Sequence, residues 1–153
     1  MGSSLTWDVS VPEGVDEKEL AAAVQAALIH GGDPSRELEV IYVSDKTLAE
    51  LHERFLSDAS PTDVMAFDLG DDEEGPSGEV YVSVDCASRI ASERAVSLQR
   101  ELALYTVHGC LHLCGFDDHE PEDRAAMRLA ESVVLGGLGY PADLAPHEQD
   151  ADA

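Results

Sequence analysis

The sequence predicts an α+β fold, α/β-like in its first half, with a small mixed sheet of about four strands packed against about five helices. Three observations lead there. Short β-branched segments with alternating polarity, such as Leu38 to Val43, recur between segments whose apolar residues fall at helical spacing. The strand-like segments end by about Val84, and the rest of the chain reads as helix. At 153 residues the chain can bury one substantial core but not two.

Leu5 to Val11 alternates loosely and stops at Pro12, which has no N–H to donate, so it reads as an edge strand. Asp16 to Ile29 places Leu20, Val24, Ala27 and Leu28 on one helical face, with Asp16 as N-cap and Gly31-Gly32 closing the C-terminus. Leu38 to Val43 is the next strand, after which Ser44 caps a helix running through Leu48, Leu51 and Phe55. Thr62 to Leu69 and Glu79 to Val84 are two more strands, separated by an acidic Gly/Pro/Ser loop. From Asp85 the chain is helical through Ile90 and Ala95, and again from about Gln99 through Leu102, Tyr105 and Leu111 until Gly115. Pro121 suits the first position of a last helix through Ala126, Leu129, Ala130 and Val133.

Composition removes several function classes. No apolar run approaches the roughly 18 residues of a membrane span, and Met1 to Ser4 lacks the start of a secretory signal, so a soluble, cytoplasmic protein is expected. Three cysteines, Cys86, Cys110 and Cys114, fit a reducing compartment. The net charge of −23 repels polyanions, so any nucleic acid partner must be brought in against this field. Part of the excess lies in Asp71 to Glu74 and part in the tail from residue 141 to 153, which is expected to be flexible.

The chemistry concentrates near the end of the fourth helix. His108 and His112 are four residues apart and project from one face, about 6 Å apart along the axis. Gly115 permits a sharp turn, after which His119 can fold back as a third ligand. Three neutral imidazoles around one zinc ion leave its fourth position open, the arrangement of a catalytic site. Cys110 lies about 200° around the helix from His108 and faces elsewhere, as a packing residue. A zincin protease would carry Glu after the first histidine as its base. Gly109 stands there instead, which argues against a peptidase.

The segment from His108 to His119, HGCLHLCGFDDH, resembles the signature H-G-x-L-H-L-x-G-Y-D-H of the YbeY family of rRNA maturation endoribonucleases. Arg54, Asp58 and the stretch Pro61 to Phe67 resemble the family's R…D…(P)TDVLSF, and Gly78 to Ser83 its GDIVIS strand. The resemblance implies a single metallohydrolase domain over residues 1–140 that cleaves single-stranded RNA, with 16S rRNA 3′-end processing and ribosome quality control as its setting. It also implies one Zn2+ ion and a ribosome or ribosomal protein partner. Six residues separate His112 from His119 where the family has five. Either His119 closes the site through a longer turn, which is favoured because turns absorb insertions, or Asp118, at the usual spacing, is the third ligand. Ala66 and Glu79 stand where the family has Ser and Asp.

Phosphodiester cleavage builds charge on phosphoryl oxygens, which a guanidinium can clamp bidentately. Arg54 matches the family's functional arginine and is the candidate clamp; otherwise it is a solvated charge on a helix face or a partner for Glu50 or Asp58. Asp63 is a candidate partner for the second nitrogen of a ligand histidine, or a strand-start cap. Asp117 is a candidate for the same role or for the general base, or a turn residue satisfying local backbone. His52 is shifted by two positions from Arg54 and faces away, and His30 and His147 read as surface residues. Arg89, Arg94 and Arg100 form either an RNA-facing stripe or ordinary ion pairs. With aromatic residues at 5%, the chain offers few platforms for unstacked bases, so weak specificity of its own is expected. The alternatives to a nuclease are a non-catalytic, metal-stabilised ribosome-assembly factor and a metal-dependent hydrolase of another substrate class.

Lysine supplies only two of the nine basic residues. So acidic and lysine-poor a surface suggests adaptation to high salt, where the Debye length shrinks to about 3 Å at 1 M. The thermal unfolding midpoint should therefore rise with KCl concentration, and a flat or falling midpoint refutes salt adaptation.

Overall fold

The computed structural model describes residues 3–56, 63–70, 75–117 and 119–140. Strands β1 (Ser4–Trp7), β2 (Leu38–Val43), β3 (Val64–Asp68) and β4 (Gly78–Ser83) form one mixed sheet in the order β1-β2-β4-β3. β1 runs parallel to β2 and β2 parallel to β4, whereas β3 is antiparallel to β4 with Val64 opposite Val82. The helices are α1 (Glu17–His30), α2 (Asp45–Leu56), α3 (Val84–Arg94), α4 (Leu98–Leu113) and α5 (Pro121–Gly137). The predicted α+β architecture of four strands and five helices is the one observed.

Strand alternation assigns the two faces of the sheet. Leu38, Val40 and Tyr42 of β2 and Val80 and Val82 of β4 point into the main core with α1, α3, α4 and α5. On the other face Val43, Leu48 and Met65 form a smaller cluster, flanked by Ile41, Leu51, Phe67 and Tyr81, where α2 lies. Tyr81 is only part-buried, and desolvation followed by the neighbouring Glu79 pushes its phenol up to about 12.

Local signals start and stop the helices as expected. The Asp16 carboxylate accepts from the N–H groups of Lys18 and Glu19 at the start of α1. Ser83 and Ser97 cap α3 and α4 through Cys86 N–H and Arg100 N–H. Pro121 opens α5 at its first turn. Two elements differ from expectation. β1 ends at Trp7 rather than Val11, because its partner β2 ends one residue after the Trp7–Tyr42 pair and the chain then turns into α2. In α5 the inward residues are Met127, Ala130, Glu131, Val134 and Leu135, while Leu129 and Val133 are 67% and 52% exposed.

α4 is the centre of the fold. Every residue from Arg100 to Leu111 is buried, between the sheet and helices α1, α3 and α5. Several of its polar groups have internal partners. Thr106 donates to the Leu102 carbonyl at 2.7 Å and accepts from the Tyr42 hydroxyl at 2.8 Å. Gly109 faces the sheet: a Cβ there would overlap Val80 Cγ1 and crowd Val64 Cγ1 at 3.1 Å.

In an open helix, Gly109→Ala would gain about 1 kcal/mol from propensity. Here overpacking against β3 and β4 outweighs it, and a net loss of about 1–3 kcal/mol is expected in denaturant unfolding. A stabilised Gly109→Ala protein would refute this packing account.

Candidate metal and active site

α4 delivers His108 and His112 in its last turns, and a backbone motif ends the helix immediately beyond them. Gly115, with φ +106°, lets its N–H return to the His112 carbonyl at 3.1 Å and the Phe116 N–H to the Leu111 carbonyl at 3.1 Å. Arg36 adds a clamp from outside the helix. Its guanidinium donates to the Leu113 carbonyl at 2.6 Å and to Asp68 at 3.0 Å, joining the helix end to the end of β3.

The two imidazoles lie nearly parallel, with ring centroids 6.4 Å apart and planes 10° from each other. His108 is buried and His112 half-buried. His108 Nδ1 is 2.6 Å from the carboxylate of Glu131, which is fully buried on α5. The other oxygen of Glu131 is 2.8 Å from Arg128 Nη1. The Nδ1 of His112 is buried and has no hydrogen-bond partner among the described residues. Two imidazoles on one face, one of them with a buried nitrogen left over, are a donor set that suits a borderline-soft divalent ion.

The third ligand is another matter. His119 is 79% exposed, with Nε2 3.5 Å from the Asp117 carboxylate, and its carbonyl accepts from Arg124 at 2.9 Å. Among the described residues no group of three or more His, Cys, Asp or Glu side chains converges as an ion would require. The structure thus brings His108 and His112 together and leaves His119 outside. Asp118, its rival, lies outside the described residues, as do Asp58, Pro61, Thr62 and the 141–153 tail.

Arg54 is exposed in the last turn of α2, on the helix that covers the opposite sheet face from α4. Asp63 is buried at the head of β3, where its carbonyl accepts from Ser83 N–H at 3.0 Å. Its charge also helps to hold the Tyr105 phenol above its ordinary range, after burial, the larger cause. Cys110 is a core residue whose thiol burial pushes strongly up, in keeping with packing rather than ligation. The arginines around α3 form ion pairs: Arg89 with Asp45 at 3.2 Å, and Arg94 and Arg100 with the buried Glu101 at 3.4 and 2.8 Å.

Sequence reasoning assigned the histidine's carboxylate partner to Asp63 or Asp117 and overlooked Glu131. The available signal was a carboxylate between Ala130 and Val134, two apolar residues four apart on one helical face.

A family model described as Endoribonuclease YbeY matches residues 6–139. An Endoribonuclease YbeY of Pelotomaculum thermopropionicum is 35% identical over 143 residues, covering 89% of this chain and 94% of its own. Another, of Desulforamulus reducens, is 34% identical over 146 residues, with 90% and 95% covered. The solution structure of a Thermotoga maritima protein aligns with a TM-score of 0.59 at 24% identity, covering 95% of this chain and 99% of its own, a likeness of fold.

The arginine pairs make a prediction about stability. Arg100→Ala leaves Glu101 buried with its better partner gone and should cost about 3–5 kcal/mol. Arg89→Ala, at an exposed pair, should cost less than about 1 kcal/mol. Chemical denaturation of the two variants measures both, and equal losses would refute the distinction.

Proposed function

The chain belongs to the Endoribonuclease YbeY family, and from that premise we propose that it is a single-strand-specific, zinc-dependent endoribonuclease acting in 16S rRNA 3′-end maturation and ribosome quality control. The observation that supports this reading best is the pair of near-parallel imidazoles at the end of a buried helix, His108 and His112. His119 is the proposed third ligand, with Asp118 as its rival. A bound zinc ion would supply Lewis-acid polarisation of a phosphoryl oxygen and activation of water at neutral pH.

The chain's own residues supply the rest. The Schellman turn at Gly115 and the Arg36 clamp hold the helix end, and so the spacing of the two imidazoles, before any substrate arrives. Arg54 is the proposed guanidinium for the phosphodiester oxygens. Asp117, half-buried beside His119, is the proposed proton acceptor in the turn. Gly109 carries no general base, and packing against Val80 leaves no room for one, which disfavours peptide hydrolysis.

The net charge of −23 bears on how RNA reaches the site. Among the described residues, Arg36, Arg89, Arg94, Arg100 and Arg128 each form an ion pair with a carboxylate of the chain itself, which reduces the cationic surface offered to phosphates. We therefore propose that a ribosome or ribosomal protein partner delivers the single-stranded RNA. No helix among the described residues is long and apolar enough to cross a membrane.

A metal-buffered cleavage assay on single-stranded RNA tests the proposal. The wild-type protein should lose activity to a chelator and regain it with zinc. His112→Ala should fall to background, and Arg54→Ala should lose on the order of 10²-fold or more. Equal background in all three proteins would sink the enzyme reading in favour of a non-catalytic assembly factor, and turnover of peptides or small esters without RNA would redirect it to another hydrolase class.

A further inference from the structure

We propose that Glu131, held by Arg128, is a positioning residue that fixes His108 as the Nδ1–H tautomer and so presents its bare Nε2 lone pair at the candidate metal site. The proposal rests on the reading of His108 as a ligand and extends it to the helix behind. Glu131 is fully buried on α5, and its Oε2 lies 2.6 Å from His108 Nδ1, a charge-assisted hydrogen-bond distance. A carboxylate can only accept, so the proton on that line belongs to the imidazole. A neutral imidazole carries one proton, and placing it on Nδ1 leaves Nε2 as the only nitrogen able to donate electrons to an ion.

Arg128 decides which way this relation can be broken. Its Nη1 forms an ion pair with Glu131 Oε1 at 2.8 Å, without hydrogen-bond geometry, and a guanidinium carries positive charge and no acceptor. In Glu131→Gln the positive charge of Arg128 draws the amide oxygen to its side, which turns the amide NH2 toward His108. Nδ1 then has to accept, and the histidine proton moves to Nε2, the position the metal needs bare. The substitution keeps size and shape yet inverts the donor pattern. Glu131→Asp keeps an acceptor, at a longer reach.

Nitrogen-15 NMR of the imidazole rings, recorded on the metal-free full-length protein in mildly alkaline buffer, reads the tautomer directly. Wild type should show His108 protonated at Nδ1 alone, Glu131→Gln should show it protonated at Nε2, and Glu131→Asp should keep the wild-type pattern. Zinc titration against a competing chelator should then show a loss of affinity on the order of 10–100-fold in Glu131→Gln and partial recovery in Glu131→Asp. Protonation of Nε2, or of both nitrogens, in the wild-type protein overturns the proposal even if no variant folds. It is equally overturned by a Glu131→Gln protein that folds with the Nδ1–H tautomer and unchanged zinc affinity. A wild-type protein with the Nδ1–H tautomer that takes up no zinc supports the tautomer relation and overturns the metal reading alone, so the two failures are distinguishable.

Discussion

A helix surrounded by other elements on every side has no solvent to satisfy its polar side chains, and α4 is such a helix from Arg100 to Leu111. A polar group it carries is costly unless it meets a partner from a neighbouring element or from its own backbone. Glu101 meets Arg94 and Arg100, Thr106 meets Tyr42 and the Leu102 carbonyl, and His108 meets Glu131. These pairings fix how α3, β2 and α5 sit around the helix, because a slip of one residue would strand several buried groups together. The candidate site inherits this rigidity: His108 is placed by the same rule that places Thr106 half a turn earlier.

The same burial explains the contrast between the two sides of the site. The imidazole pair sits on a helix end closed by Gly115 and pinned by Arg36, both acting on backbone carbonyls. His119 and Asp117 sit on the turn beyond, where His119 is exposed, Asp117 is half-buried and Arg124 donates to the His119 carbonyl. Two donors are organised by the core, and the proposed third, His119, stands at the surface. Such a division is usual where rigid elements position chemistry and a loop completes it.

Much of this was readable in the residues. Strand alternation in β2 and β4, the cap Asp16, Pro121 at the first position of α5, and the spacing of His108 and His112 are local signals, and each survives in three dimensions because packing agrees with it. The end of β1 was not readable, because a strand ends where its partner does and Val43 is more than thirty residues away. The role of Arg36 was equally hidden, since its contacts lie at Ser77, Asp68 and Leu113. Arg94 and Arg100 could be read as an RNA-facing stripe only while the buried partner Glu101 was invisible.

The misreading of α5 shows what decides a helix's rotation when apolar content does not. One phase puts Ala126, Leu129, Ala130 and Val133 inward, and the observed one puts Met127, Ala130, Val134 and Leu135 inward. Each buried Leu, Val or Met side chain is worth about 1.5–3 kcal/mol, so the two faces differ by less than one such residue. Against that small difference stands Glu131, which the observed phase buries completely. Burial of an unpartnered carboxylate costs several kcal/mol, enough to reverse the choice, unless partners await it. His108 and Arg128 are those partners, at 2.6 and 2.8 Å. A reading by hydrophobic period counts Glu131 as solvent-facing and rotates the helix away from it. In the folded chain the carboxylate is an internal group of α5 because α4 carries a histidine that needs one.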